Sequence, residues 1–162
     1  MRFIKFRQRA VFGYYNKLND EPPTLPTSIW FYNAKTGAVR LLDEALEQPN
    51  GIALSPDCKT LYACDTGAIG LGSDGSLKFS STGQRYIYAY DIDPSGPHLK
   101  NKRVLYIAPD WIPDGLKVAA NGVVLTAAGP GIDVLDTVGN ILVRIQTNFT
   151  VQNLAFSGKD LK

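Results

Sequence analysis

Apolar residues along this chain come in short runs separated by turn-forming residues, and no long segment repeats them at helical spacing. Ser28–Asn33 and Gly37–Asp43, joined at Asn33-Ala-Lys-Thr-Gly37, predict a strand–turn–strand pair. Gly51–Ser55, Leu61–Asp65, Tyr86–Asp91 and Val104–Ala108 predict four strands of one sheet. Within it, Tyr86-Ile-Tyr-Ala-Tyr-Asp91 alternates large and small side chains, as a sheet between two neighbours would. A Gly/Ser-rich insertion, Gly67 to Gly83, separates the second and third of these strands. Gly115–Ala119, Val123–Ala127, Gly131–Leu135 and Ile141–Ile145 predict a second four-stranded unit with tight loops, and Val151–Ser157 the first strand of a third. Residues 1–27 read as an irregular N-terminal segment, with Glu21-Pro-Pro-Thr-Leu-Pro26 as an extended surface loop.

Two phrases mark an internal repeat. Pro49-Asn50-Gly51-Ile52-Ala53-Leu54-Ser55-Pro56-Asp57 runs into Lys59-Thr60-Leu61-Tyr62, and Pro113-Asp114-Gly115-Leu116-Lys117-Val118 runs into Asn121-Gly122-Val123-Val124-Leu125. Each reads Pro, an oxygen-bearing residue, Gly, a short apolar strand, a polar turn and a second apolar strand. Units of roughly 40 residues built from short strands are the signature of propeller blades. The expected fold is therefore all-β: residues 28–162 as an incomplete propeller of roughly two and a half to three blades. Closure normally protects the edges of such sheets, so open edges predict self-association or pairing with another body.

Composition narrows the class further. Of 162 residues, 44% are hydrophobic, ordinary for a water-soluble chain with a real core. The net charge of +2 is too small to argue for a nucleic-acid partner. No apolar run approaches the ~18 residues of a membrane-spanning helix. Met1-Arg-Phe-Ile-Lys-Phe-Arg-Gln-Arg9 is basic and aromatic without the apolar stretch of a secretion signal, which predicts a cytoplasmic location. Cys58 and Cys64, with no third or fourth Cys, make neither a zinc site nor a disulfide framework and read as reduced thiols. The triplet Asn148-Phe149-Thr150 matches a glycosylation sequon, which decides nothing without a secretion signal.

The repeat puts Asn50 and Asp114 at one structural position in two blades. Asn-Gly and Asp-Gly are also favoured hairpin turns, so each pair taken singly reads as a turn. Both, however, precede strands, and polar turns follow shortly after at Pro56-Asp57 and Asn121-Gly122.

In order and spacing, these phrases resemble the gluconolactonase, regucalcin and lactonohydrolase family. The resemblance is carried by Gln48-Pro-Asn-Gly-Ile-Ala-Leu-Ser-Pro-Asp57 with Asp65-Thr66, by Pro113-Asp-Gly-Leu-Lys117, by Gly131-Ile-Asp-Val-Leu-Asp136 with Gly139-Asn-Ile-Leu142, and by Gln152-Asn-Leu-Ala-Phe-Ser-Gly158 with Leu161. Phe12-Gly-Tyr-Tyr15 and Leu25-Pro26, ahead of the Lys35-Thr-Gly37 hairpin, are similar to the fungal lactonohydrolase branch. It implies a six-bladed propeller that binds one divalent cation, usually calcium, in its central channel and hydrolyses small, sugar-type lactones. It carries two metal ligands onto Asn50 and Asp114, with Asp114 also the catalytic acid–base residue. The family's first-blade Glu and its upstream Asn-Asp phrase have no counterpart here, so the expectation is a truncated chain that binds calcium weakly and is impaired as a catalyst. The competing expectation is a non-catalytic propeller fragment or binding module.

Physical chemistry agrees with that assignment. Residues just before the inner strand of each blade converge on the channel, and amide and carboxylate oxygens suit a hard cation. A Gly after the ligand is expected to let the backbone turn tightly into the strand. A Ser–His–Asp route is disfavoured: the one histidine, His98, sits in the turn Pro94-Ser-Gly-Pro-His98 and reads as solvated, and no Gly-x-Ser-x-Gly elbow occurs. Asp65 and Thr66 read as a turn cap, Asn153 as a structural hydrogen-bonding residue, and Trp30 and Trp111 as packing residues, with Trp111 close enough to Asp114 to flank the channel mouth.

Overall fold

The computed structural model describes residues 2–6, 9–14 and 25–158, with side chains from residue 25 onward. Its strands are β1 (Arg2–Phe6), β2 (Arg9–Tyr14), β3 (Ser28–Asn33), β4 (Val39–Asp43), β5 (Pro49–Leu54), β6 (Thr60–Asp65), β7 (Ile69–Leu71), β8 (Leu77–Phe79), β9 (Tyr86–Ile92), β10 (Leu99–Ile107), β11 (Leu116–Val118), β12 (Val124–Ala127), β13 (Gly131–Leu135) and β14 (Ile141–Gln146). They form three four-stranded sheets, ordered β1-β2-β3-β4, β5-β6-β9-β10 and β11-β12-β13-β14, with a separate two-stranded hairpin, β7-β8. Every pairing is antiparallel. Each sheet is a blade whose strands step outward in chain order, and the inner strands β1, β5 and β11 are neighbours.

The middle blade is covered on both faces, which explains why β6 reads as an almost unbroken apolar run rather than an alternating one. Successive side chains point to opposite faces. Leu61 and Ala63 therefore join Ile29, Leu46, Ile52 and Tyr90 in the core against the first blade. Tyr62 and Cys64 join Ile87, Ala89, Tyr106, Leu116, Val124 and Leu135 in the core against the third.

Ten expected strands appear, most within a residue or two of their expected ends; β10 starts five residues earlier, at Leu99. Its register slips twice, and Asn101 takes a positive φ of 51° at the first slip, a bulge that the apolar pattern does not reveal. Three further features differ from expectation. Residues 1–27 are not uniformly irregular, because β1 and β2 complete the first blade by pairing through β2 onto β3. The basic, aromatic composition of that segment hides its alternation. The Gly/Ser-rich insertion folds its middle into β7-β8, closed by Gly75 at φ 74° and by the Asp74–Ser76 turn. Residues 151–157 carry no strand assignment, although Gln152 accepts a hydrogen bond from Gly115 N–H at 2.9 Å. Tyr15, most of the Glu21–Pro26 loop and Leu161 lie outside the described residues.

Candidate functional site

The repeated glycines build the site, by a different route from the one expected. Neither Gly51 nor Gly115 has a positive φ. Their role is close approach. A Cβ on Gly51 would collide with the Asp114 carbonyl oxygen and come within 2.8 Å of Leu116 N. One on Gly115 would lie 2.6 Å from Asn153 Cα and 2.7 Å from the Gln152 carbonyl oxygen. Each glycine thus admits the next blade's inner segment against its own backbone. The segments that carry Asn50, Asp114 and Asn153 consequently lie in series, each against the next.

The Asp114 segment is held by its backbone. Asp114 N–H donates to Ala127 O at 2.8 Å, and Ala127 N–H returns a bond to Gly115 O at 2.8 Å. Asn50 and Asp114 are both half-buried. Lys117 Nζ bonds Leu116 O at 3.0 Å and Asn153 Oδ1 at 3.3 Å, which brings a cation to the Asn153 end of the series.

Asp65 positions the Asn50 segment. It is fully buried, and its carboxylate accepts Glu47 N–H at 2.8 Å, Gln48 N–H at 2.9 Å and Gly67 N–H at 3.1 Å. Burial pushes its pKa above the ordinary carboxylate value, against the pull of the three N–H groups. Thr66 adds two bonds to Gln48 O, from N–H at 3.0 Å and from the hydroxyl at 3.1 Å. The pair is a turn cap, as expected, and fixes the approach to Pro49-Asn50.

The loop leading to Asp114 is anchored twice: by Trp111, expected as a packing residue, and by a charged cluster that the sequence does not signal. Trp111 packs on Gly129, where a Cβ would lie 2.8 Å from Trp111 Cγ, and 6.0 Å from the Phe79 ring of β8. Asp110 takes a 2.7 Å bond from Arg144, which also grips the buried Asp133 at 2.6 and 3.1 Å. Tyr106 donates to Asp133 at 2.7 Å, and burial with that carboxylate raises the phenol's pKa. The cluster joins β10, β13 and β14 to the 109–114 loop. Two Asp, an Arg and a Tyr spread over almost 40 residues leave no local signal in the chain.

His98 lies at the far end of β9 from Asn50, exposed in its turn, where its N–H bonds Gly96 O. Trp30 donates to Pro26 O at 3.4 Å. Neither reaches the series.

Asn50 and Asp114 match a hard cation in donor chemistry. A further oxygen in the same segment, the Gln48 side-chain carbonyl, is buried without a hydrogen-bond partner. Two ligands do not fill a calcium shell of about six to eight oxygens, and the described residues hold no group of three or more His, Cys, Asp or Glu. The fit is one of kind, not of number.

Residues 8–162 match the family model described as SMP-30/Gluconolactonase/LRE-like region. The chain is 48% identical over 147 residues to the lactonohydrolase oryH of Aspergillus oryzae, covering 86% of this chain and 31% of that one. It is 41% identical over 151 residues to the lactonohydrolase oryL of the same organism, covering 89% and 35%. It thus spans about a third of the length of these curated relatives. Among solved structures, a gluconolactonase from Xanthomonas campestris superposes with a TM-score of 0.75 at 24% identity, over 95% of this chain and 49% of that one. A regucalcin from Agrobacterium tumefaciens, described as a calcium-binding protein, gives a TM-score of 0.71 at 21% identity, over 95% and 47%.

Proposed function

The chain belongs to the SMP-30/gluconolactonase/LRE-like family, and from that membership we propose that it forms part of a metal-assisted hydrolase of small, sugar-type lactones, carrying two of the metal's oxygen ligands. The observation that supports this most is the close approach of Gly51 to Asp114, which brings the Asn50–Gly51 backbone against the Asp114 backbone.

In this reading Asn50 and Asp114 hold a divalent cation, calcium by resemblance. Once bound, that cation would polarise the lactone carbonyl and stabilise the oxyanion. Asp114 acts as base and then acid. Its carboxylate takes a proton from water as the water oxygen bonds to the carbonyl carbon. The ring C–O bond breaks, and the proton passes to the ring oxygen, leaving a hydroxy acid. Asn50 orients and cannot move a proton at neutral pH. Asp65 and Thr66 hold the Asn50 segment, and Trp111 with Arg144 hold the Asp114 loop.

The test is a graft of residues 28–158 in place of the matching third of the Aspergillus oryzae relative, with hydrolysis of gluconolactone followed by pH-stat at varied calcium. Calcium-dependent turnover is expected. A folded graft without turnover would instead favour the non-catalytic binding module.

A further inference from the structure

At the opposite end of the blades from Asn50, the first and second sheets splay apart. They enclose a cleft of about 590 Å³, within the roughly 300–1,000 Å³ of small-molecule sites. Its floor is apolar: Phe31 and Leu42 from one sheet face Leu54, Leu61, Ile92 and Leu99 from the other. Four of these, Leu42, Leu54, Ile92 and Leu99, are only half-buried, so the inter-blade core is left unfinished there. Both bounding sheets have their four strands in this chain, so the gap is not one that a further blade would fill.

Among the described residues, the rim's unanswered charge is positive. Arg40 lines the cleft and has no hydrogen-bond or ion-pair partner among the described residues. The carboxylate on the far rim, Asp93, is already neutralised by Lys100 at 2.6 Å. An apolar floor beneath a guanidinium with no partner among the described residues is complementary to a molecule with an anionic head and an apolar body.

We propose that the cleft between the first two blades is a binding site for a small amphipathic carboxylate, the anion on Arg40 and the apolar body on Leu42, Leu54 and Leu99. It is separate from the Asn50 and Asp114 segments and independent of lactone hydrolysis.

The test is titration of the full chain with decanoate, followed by amide chemical shifts and calorimetry. Saturable binding is expected, with shifts at Arg40, Leu54, Gly96 and Leu99 and none at Asn50 or Asp114. Arg40→Gln, an exposed substitution compatible with folding, is expected to weaken binding about tenfold or more, the loss typical of one charge-assisted contact. Leu54→Trp, which fills the floor, is expected to abolish it. Uncharged decanol is expected to bind wild type and Arg40→Gln alike. No saturable binding, or decanoate affinity unchanged by Arg40→Gln, would overturn the proposal. Shifts confined to β14 would assign the ligand to that exposed apolar strand and overturn it equally.

Discussion

Asn50 and Asp114 hold equivalent positions but carry different chemistry, and substitution separates them. In the grafted relative, Asp114→Asn loses both a charged ligand and the proton acceptor. Turnover is expected to fall by about a hundredfold or more, the usual scale for an acid–base residue, and to stay low at saturating calcium. Asn50→Ala removes an oxygen without a proton role, so it is expected to raise the calcium needed for half-maximal rate and to spare the maximal rate. Near-normal turnover of Asp114→Asn at saturating calcium would return Asp114 to a turn residue. Gly51→Ala tests the geometry in the chain alone. Its methyl would enter the space of the Asp114 carbonyl, a backbone atom that cannot swing aside. A loss of about 1–3 kcal/mol in urea unfolding is expected, and a value near zero would mean that the two segments are not held in contact.

At the scale of elements, β4 and β9 are joined by a polar link across the first blade interface. Asp43 accepts the Tyr90 hydroxyl at 2.7 Å and pairs with Lys102 at 2.8 Å. Burial alone would raise the Asp43 pKa, but Lys102, the Ala45 N–H and Tyr90 outweigh it and hold the pKa below 3.8. The folded state therefore binds this proton less readily than the unfolded chain. The stabilisation is present above the unfolded value and is lost as pH falls through the folded one. Asp65, raised by burial, has the opposite sign: its charged form opposes folding above its folded pKa, and acid relieves that cost. Urea midpoints of Asp43→Asn and wild type are expected to converge as pH falls below about 3.8 and to separate above it. A constant gap across that range would remove the ionised Asp43 from the account. The strands themselves were legible wherever one face is buried and alternation or an apolar run survives, as in β3, β6 and β9. β1, β2 and the β7-β8 hairpin were not, because charged or Gly/Ser-rich segments become strands there through pairing partners rather than through their own pattern.

On the scale of the whole molecule, the two end blades present apolar side chains outward. Ile29 and Phe31 face the core, so Trp30 and Tyr32 lie on the other face of β3. On β14, Ile141, Leu142, Val143 and Ile145 are about half exposed. The chain alone is expected to self-associate through these faces. Light scattering checks this: a sharp monomer with cooperative two-state unfolding would contradict it. Calcium titration of the same sample is expected to show no tight stoichiometric site, because two side-chain ligands leave most of the shell to water.

The amino-acid sequence by itself determined the all-β class, the blade repeat and the two positions, Asn50 and Asp114, proposed to carry chemistry. Those features rest on local rules: strand alternation, turn residues, and Pro and Gly beside an oxygen-bearing side chain. The tertiary structure alone decided what depends on distant segments meeting. It made Gly51 and Gly115 close-approach residues rather than left-handed turns, since what forbids a Cβ is the neighbouring blade's backbone. It brought Asp110, Asp133, Arg144 and Tyr106 into one anchor behind the Asp114 loop. It also opened the Arg40 cleft, because how far two sheets splay is set by side-chain packing between blades and is written in neither blade alone.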